Sequence, residues 1–451
     1  MWCTLGDAHR IRFELQPATE AYHRALALAR ALGDDRILVR TIDGLACGAG
    51  IGEPIEPDLE TRWDLLREGL AVLGGEDGVE RTRLLANYAL ARYGEPDARR
   101  AEEAAVAMAG RLRTADAFAA ALTAERQLQS GPAHIEDRGR YLDQLVALHG
   151  PHLPGEVAVR VEQGRLQDAI ESGSRVGTDR ALAALSEHAE RLGRPFQRWW
   201  VATWEVTVAI VDGDLDLAEA RAEAALGQAM DPTHDLNDMV YYSSILGIRL
   251  LRGDQGALVD PLAAAIRSGW DLPVFRAALA CIQARTGDLP SAKRGYDRLV
   301  DEDLLRTPSG SEWSICAYFL AQLAQLLGDT EGAGVLVARL APYARTMIVT
   351  NGFGLSGGPF FGSIAHLLGD LAALAGDWEA ACRHFETALT DHRAFRAPIF
   401  VASSAYSLGV SLERNGGDPG RAAALRTEGS RAADRLGTVL RGPGTGRVTV
   451  G

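Results

Sequence analysis

The 451-residue sequence predicts an all-α protein, a solenoid of stacked helical hairpins, and three observations lead to that class. Gly-Asp pairs close one apolar run and open the next at Gly213-Asp214, Gly253-Asp254, Gly287-Asp288, Gly328-Asp329, Gly376-Asp377 and Gly417-Asp418, with 34 to 48 residues between successive glycines. Punctuation at that interval marks a repeat array, since glycine ends a helix in the left-handed region and aspartate caps the next one. Between the pairs, apolar residues recur at helical spacing. Hydrophobic residues make up 47% of the chain and aromatics 6%, with alanine and leucine dominant. That composition favours packed helices over sheets.

Taken from the N-terminus, Ala18, Tyr22, Ala25 and Leu26 form one helical stripe, which Leu32-Gly33-Asp34 ends. An interruption is expected over 47–58. Helices follow over 61–73, 79–93, 98–112, 116–128, 138–148, 156–172 and 179–192, with breaks at 130–134 and 149–155. The second break, His149-Gly150-Pro151-His152-Leu153-Pro154-Gly155, is the expected hinge between N-terminal repeats (1–148) and C-terminal repeats (156–441). Beyond it, first helices of hairpins are expected to begin near Phe196, Asn237, Pro273, Ser311, Pro359 and Pro398. Each Gly-Asp pair opens the matching second helix. After Gly376-Asp377, residues Ala381, Phe385, Ala388 and Leu389 fall at i, i+4, i+7 and i+8. Small alanine admits the neighbouring helix there, and Phe385 fills the remaining gap. The Gly-rich stretch 442–451 is expected to be a disordered tail.

Bulk properties remove several functions. A net charge of −13 repels phosphate backbones and argues against direct nucleic-acid binding. Cys3, Cys47, Cys281, Cys316 and Cys382 are widely spaced, as buried free thiols of a reducing compartment are. Met1-Trp2-Cys3 leads straight into charged sequence, no apolar run reaches about 18 residues, and a cytoplasmic location follows as the expectation. Lys293 is the sole lysine and follows Ala292, so there is no phosphate-cradling G-x-x-x-x-G-K-[ST] loop.

The local motifs are weak in their setting. Gly352-Phe353-Gly354-Leu355-Ser356-Gly357 is a literal G-x-G-x-x-G, but no βαβ pattern flanks it, so a long loop between hairpins is expected. Its backbone N–H groups are candidates for a modest anion site at a helix starting near Phe360. Gly354 to Gly358 also spells G-x-S-x-G around Ser356, without the sheet a nucleophile elbow needs. His149 and His152 lack further ligands nearby, and Glu102-Glu103 and Asp301-Glu302-Asp303 read as solvated or capping carboxylates. No catalytic residue, metal or cofactor is expected.

The suggestive feature is aromatic. Expected first helices carry Phe196, Trp199, Trp200 and Trp204, then Tyr241 and Tyr242, Phe275, Trp313 and Tyr318, Phe360 and Phe361, and Phe400 and Tyr406. Arg198, Trp199, Trp200, Trp204, Tyr241, Tyr242 and Trp313 are therefore the candidate ligand- or partner-binding residues. Flat side chains beside an arginine suit an apolar ligand with an anionic group. The competing role is packing between repeats, because adjacent Trp199 and Trp200 diverge by about 100° around a helix.

The stripes at 18–26 and 381–389 resemble the second helix of a tetratricopeptide repeat. Segments 21–34 and 194–199, and the run from Phe361 through Ala380, further resemble the C-terminal helical-repeat region of bacterial AAA- or STAND-type ATPase signalling and transcription regulators. The resemblance implies a superhelix whose first helices line a concave groove, where a protein partner or small inducer binds. The ATPase and DNA-binding or cyclase portions have no counterpart here, so no catalytic residue carries over. The functional expectation is a regulatory interaction scaffold. A small-molecule sensor and an enzyme of specialised metabolism using the same groove are the alternatives. An open polar groove would favour the scaffold, and an apolar pocket with few convergent polar groups the sensor or enzyme.

Overall fold

The computed structural model describes residues 1–444 apart from 13, 48–55, 57, 92–95, 130, 151–152, 229–234, 307–311 and 351–355. Among these residues lie twenty-two α-helices, numbered α1 (Trp2–Ile11) to α22 (Pro419–Leu436), and two short strands. The chain is an all-α solenoid in which consecutive helices pack as antiparallel hairpins. No helix among the described residues is long and apolar enough to cross a membrane. All five cysteines are buried and unpaired.

Capping chemistry sets the helix that follows most Gly-Asp pairs. The carboxylates of Asp34, Asp214, Asp288, Asp329 and Asp377 accept the N–H of Ile37, Leu217, Ser291, Gly332 and Ala380. Asp418 accepts from Gly420 and Arg421. Helix ends use left-handed glycine, as at Gly213 with φ +79°. At the last junction that residue is Gly416, one place before the expected Gly417.

Gly253-Asp254 departs from the rule. Asp254 makes no side-chain cap, and a 3-10 turn (Gln255–Leu258) precedes the second helix, α14 (Val259–Arg267). α14 has nine residues and none fully buried, whereas α12 (Leu215–Gly227) and α16 (Leu289–Asp301) have thirteen each. It therefore covers its neighbours, α13 (Asp235–Arg252) and α15 (Pro273–Thr286), only in part.

The first helix expected near Pro359 begins later, at Ile364, as α19 (Ile364–Leu374). Before it, β2 (Phe360–Ser363) pairs antiparallel with β1 (Met347–Val349). Alternation along a strand sends adjacent side chains to opposite faces. Phe360 meets Phe395 and Phe400, while Phe361 stacks on Tyr318 at a centroid distance of 4.3 Å. The hairpin thus plugs between two hydrophobic cores, which explains why apolar 347–349 and 360–361 form strands in a helical protein.

The C-terminal repeats close on themselves. β1 packs on α9 (Gly155–Glu171) and α17 (Trp313–Leu327), and β2 and α21 (Pro398–Arg414) pack on α11 (Pro195–Asp212). After α22 the chain runs back to α13, where Thr438 Oγ1 and Val439 N–H donate to Leu251 O at 2.7 and 3.0 Å. Pro443 and Gly444, expected in a disordered tail, are buried, and 445–451 lie outside the described residues.

At the expected hinge, His152 and Pro151 lie outside the described residues. Across it, fully buried Arg126 and Arg138 bind Asp168, and Arg138 also binds Glu171. This network joins α7 (Ala115–Leu128) and α8 (Ile135–His149) to α9.

Candidate functional site

The closed C-terminal array decides where the candidate residues sit. Trp199, Trp200 and Trp204 are 1%, 2% and 0% exposed, in a core shared with Met347, Val349, Phe360, Ile399 and Phe400. Trp313 is likewise buried, and its Nε1 points at Leu305 O, 3.5 Å away. These four were expected on a binding face. The protein's own hairpin and α21 cover the three α11 tryptophans, and Trp313 packs in the neighbouring core against Tyr343, so all four pack instead. Arg198 is exposed on the outside of α11, apart from the others.

Tyr241 and Tyr242 have a different setting. Tyr241 is half-buried, and Tyr242, 49% exposed, meets it edge-on at 5.2 Å. Tyr242 opens onto a cavity of about 520 Å³ between α13, α14 and α15. Leu246, Leu258, Leu262, Trp270 and Phe275 form its apolar walls, and Asp238 and Ser268 bring polar groups. Trp270 links the rings, with its centroid 6.2 Å from Tyr242 and 5.7 Å from Phe275. The short α14 forms one wall of the cavity through Pro261, Leu262 and Ala265.

The motif-bearing loop is structural where it is described. Asn351 to Leu355 lie outside the described residues, so Gly352 and Gly354 carry no structural statement. Ser356 is fully buried. Gly357 N–H donates to Thr203 Oγ1 at 3.0 Å, and Thr207 Oγ1 donates to Gly358 O at 2.8 Å, so the loop is clamped on α11. Among the described residues, the expected anion site near Phe360 is not formed. The backbone there is strand, and at the start of α19 the N–H groups of Ile364 and Ala365 are satisfied by Thr346 O and Ala344 O.

A buried Ser/His/Asp group gives no signal in the sequence, because its members lie on three helices. Ser404 Oγ is 2.9 Å from His366 Nδ1 and 3.0 Å from His392 Nδ1, and His366 Nε2 is 3.7 Å from Asp370. His392 Nε2 accepts the Ser363 N–H at 2.9 Å, which places the ring proton on Nδ1, facing Phe400 O at 3.1 Å. Burial lowers His366 to about 4, and burial together with His366 lowers His392 to about 3, so both rings are neutral near pH 7. Burial raises Asp370 to about 7. Ser404 and His392 have no exposed surface, and only the edge of His366 reaches the surface. Its chemistry is to satisfy the polar ends of β2 and α21.

No protein-family model matches the chain, and no curated protein matches it. Among solved structures, it is similar to a chain in the crystal structure of the APC/C hetero-tetramer Cut9-Hcn1. The TM-score is 0.53 at 11% identity, over 96% of this chain and 78% of that one. A chain of Naa15/Naa10 bound to HypK-THB aligns at 14% identity over 97% and 72%, with a TM-score of 0.20, too low to carry an argument. The first likeness establishes a tetratricopeptide-like α-solenoid and nothing finer.

Proposed function

We propose that this protein is an interaction module of a regulatory assembly that holds a protein partner at the Tyr242 cavity. The observation that supports this reading is the exposed aromatic opening between α13 and α15, on a fold whose inner face its own chain fills. Interface anchors are commonly aromatic side chains beside a pocket. A regulatory role draws on the likeness of the repeats to the sensor region of signalling ATPases. The five buried, unpaired thiols favour a cytoplasmic setting.

A second reading, a small inducer in the same cavity, is favoured by its volume of about 520 Å³, within the range of small-ligand sites. Site-specific photocrosslinking in the native cell separates the two. A benzophenone side chain at position 242 should give a defined polypeptide adduct. A probe at exposed Val176 should not, and the adduct should disappear with Trp270→Ala. A small-molecule adduct with no polypeptide would move the reading to the inducer. Equal adducts from both positions would end the assignment of this cavity.

A further inference from the structure

We propose, resting on the Tyr242 cavity as the contact point, that its occupant is a basic side chain of the partner, an arginine or lysine flanked by apolar residues. The rings of Tyr242, Trp270 and Phe275 and the side chains of Leu246, Leu258 and Leu262 receive the aliphatic stem and its apolar neighbours. Asp238 meets the cation.

Three observations select that chemistry. The first is the composition of the cavity, apolar and aromatic with one carboxylate. Long basic side chains lay their stems on apolar surface and hold the charged head at a polar edge. A cation over tyrosine or tryptophan also gains from the negative face of the ring.

The second is the state of the local charges. Arg249 and Arg252 bind Glu219, Arg249 also binds Asp254, and Arg276 binds Asp271 and Glu302. Asp238 has no ion-pair partner among the described residues, and neither has exposed Glu223 on α12. Glu223 and Glu219 help burial raise the Tyr241 phenol while Arg249 opposes them, so the unpaired carboxylate at the cavity itself is Asp238. Asp238 is exposed at the edge of the cavity, where a cation finds an opposite charge and an acidic occupant is repelled.

The third is the whole-molecule field. With a net charge of −13, the chain attracts basic segments and disfavours acidic ones at encounter.

A random 12-residue peptide display library, panned on the full chain, tests the inference. Peptides eluted from the parent protein should carry arginine or lysine next to leucine, valine or phenylalanine, and Tyr242→Ala should abolish their capture. For a synthesised winner, Asp238→Asn should weaken binding about ten-fold, with the melting temperature unchanged. Affinity should also fall as salt rises.

Winners without a basic residue that still need Tyr242 would overturn the cationic occupant and leave the interaction module standing. Winners indifferent to Tyr242→Ala, or no enrichment of any sequence, would overturn both. Affinity unaltered by Asp238→Asn would remove the carboxylate from the recognition scheme and with it the inference.

Discussion

Asp254 turns its carboxylate back onto Arg249, whose Nη1 donates to it at 2.6 Å, and leaves the helix that follows uncapped. At Asp34, Asp214, Asp288, Asp329, Asp377 and Asp418 the same side chain points forward and accepts from the first turn. Without that acceptor, the chain after Gly253 makes a 3-10 turn before α14 begins. The shortened helix borders the cavity beneath Tyr242. One redirected carboxylate therefore connects a repeat motif in the sequence to the candidate site.

The two kinds of aspartate should differ in energetic weight. Asp214→Ala removes a working cap and should cost about 1 kcal/mol. Asp254→Ala removes a partly exposed ion pair and should cost less than about 0.5 kcal/mol. Urea denaturation of both variants checks this, and equal losses would show that Asp254 stabilises its helix despite its direction.

Phe385 should be among the costliest single truncations. It is fully buried against Gly369, where an added Cβ would fall 2.7 Å from its ring, and it meets His366 edge-on at 5.1 Å. Phe385→Ala leaves a cavity that these close neighbours cannot collapse into, at about 3–5 kcal/mol. A thermal melt like the parent's would contradict the core assignment of the 381–389 stripe.

Stability should depend on pH through the buried histidines. His366 and His392 are lowered to about 4 and about 3, so below about pH 6.5 the unfolded chain takes up protons that the folded chain refuses. Their contribution is intact above about 6.5 and is lost as pH falls toward 4, by up to about 1.4 kcal/mol per pH unit for each ring. Asp370, raised to about 7, acts in the opposite sense, its contribution fading as pH rises from about 4 to 7. His392→Asn should therefore lower stability at pH 7.5 yet lose less of it between pH 7.5 and 5 than the parent does. An identical loss in both proteins would show that the ring does not govern the acid limb.

The repeat architecture was legible because it is written locally. Capping aspartates, left-handed glycines and 3.6-residue stripes act within one turn of themselves, and the expected helix over 98–112 appears as Pro96–Leu112. What the sequence concealed is long-range. Thr203 and Gly357 are 154 residues apart, and their contact seals the face that carried the tryptophans. No periodicity reports such a pairing, so Trp199, Trp200 and Trp204 looked available when they are core. Of the rings lining the cavity, Tyr242 stands out in the sequence by its place in the ladder of first helices, whereas Trp270 lies in the turn between α14 and α15, outside that ladder. The unusual spacing after Gly253-Asp254 held a usable signal: Pro261 and Gly269 leave room for only a short helix.

The bond from Val439 N–H to Leu251 O alters how the molecule comes apart. An open stack of repeats frays from its ends, each unit held by its neighbours alone. Here, releasing α22 also means detaching the chain from α13, and loosening β1 and β2 unseats α9, α11 and α17 together. The entropy of bringing such distant segments together must be spent before any of these contacts stabilises the fold, which slows its formation. Once formed, the helices after Gly155 should open as one cooperative block, with amide hydrogens of α9, α11, α13 and α21 exchanging together. The earlier hairpins, whose main contacts reach only one or two helices along the chain, retain the piecemeal unravelling of a linear array.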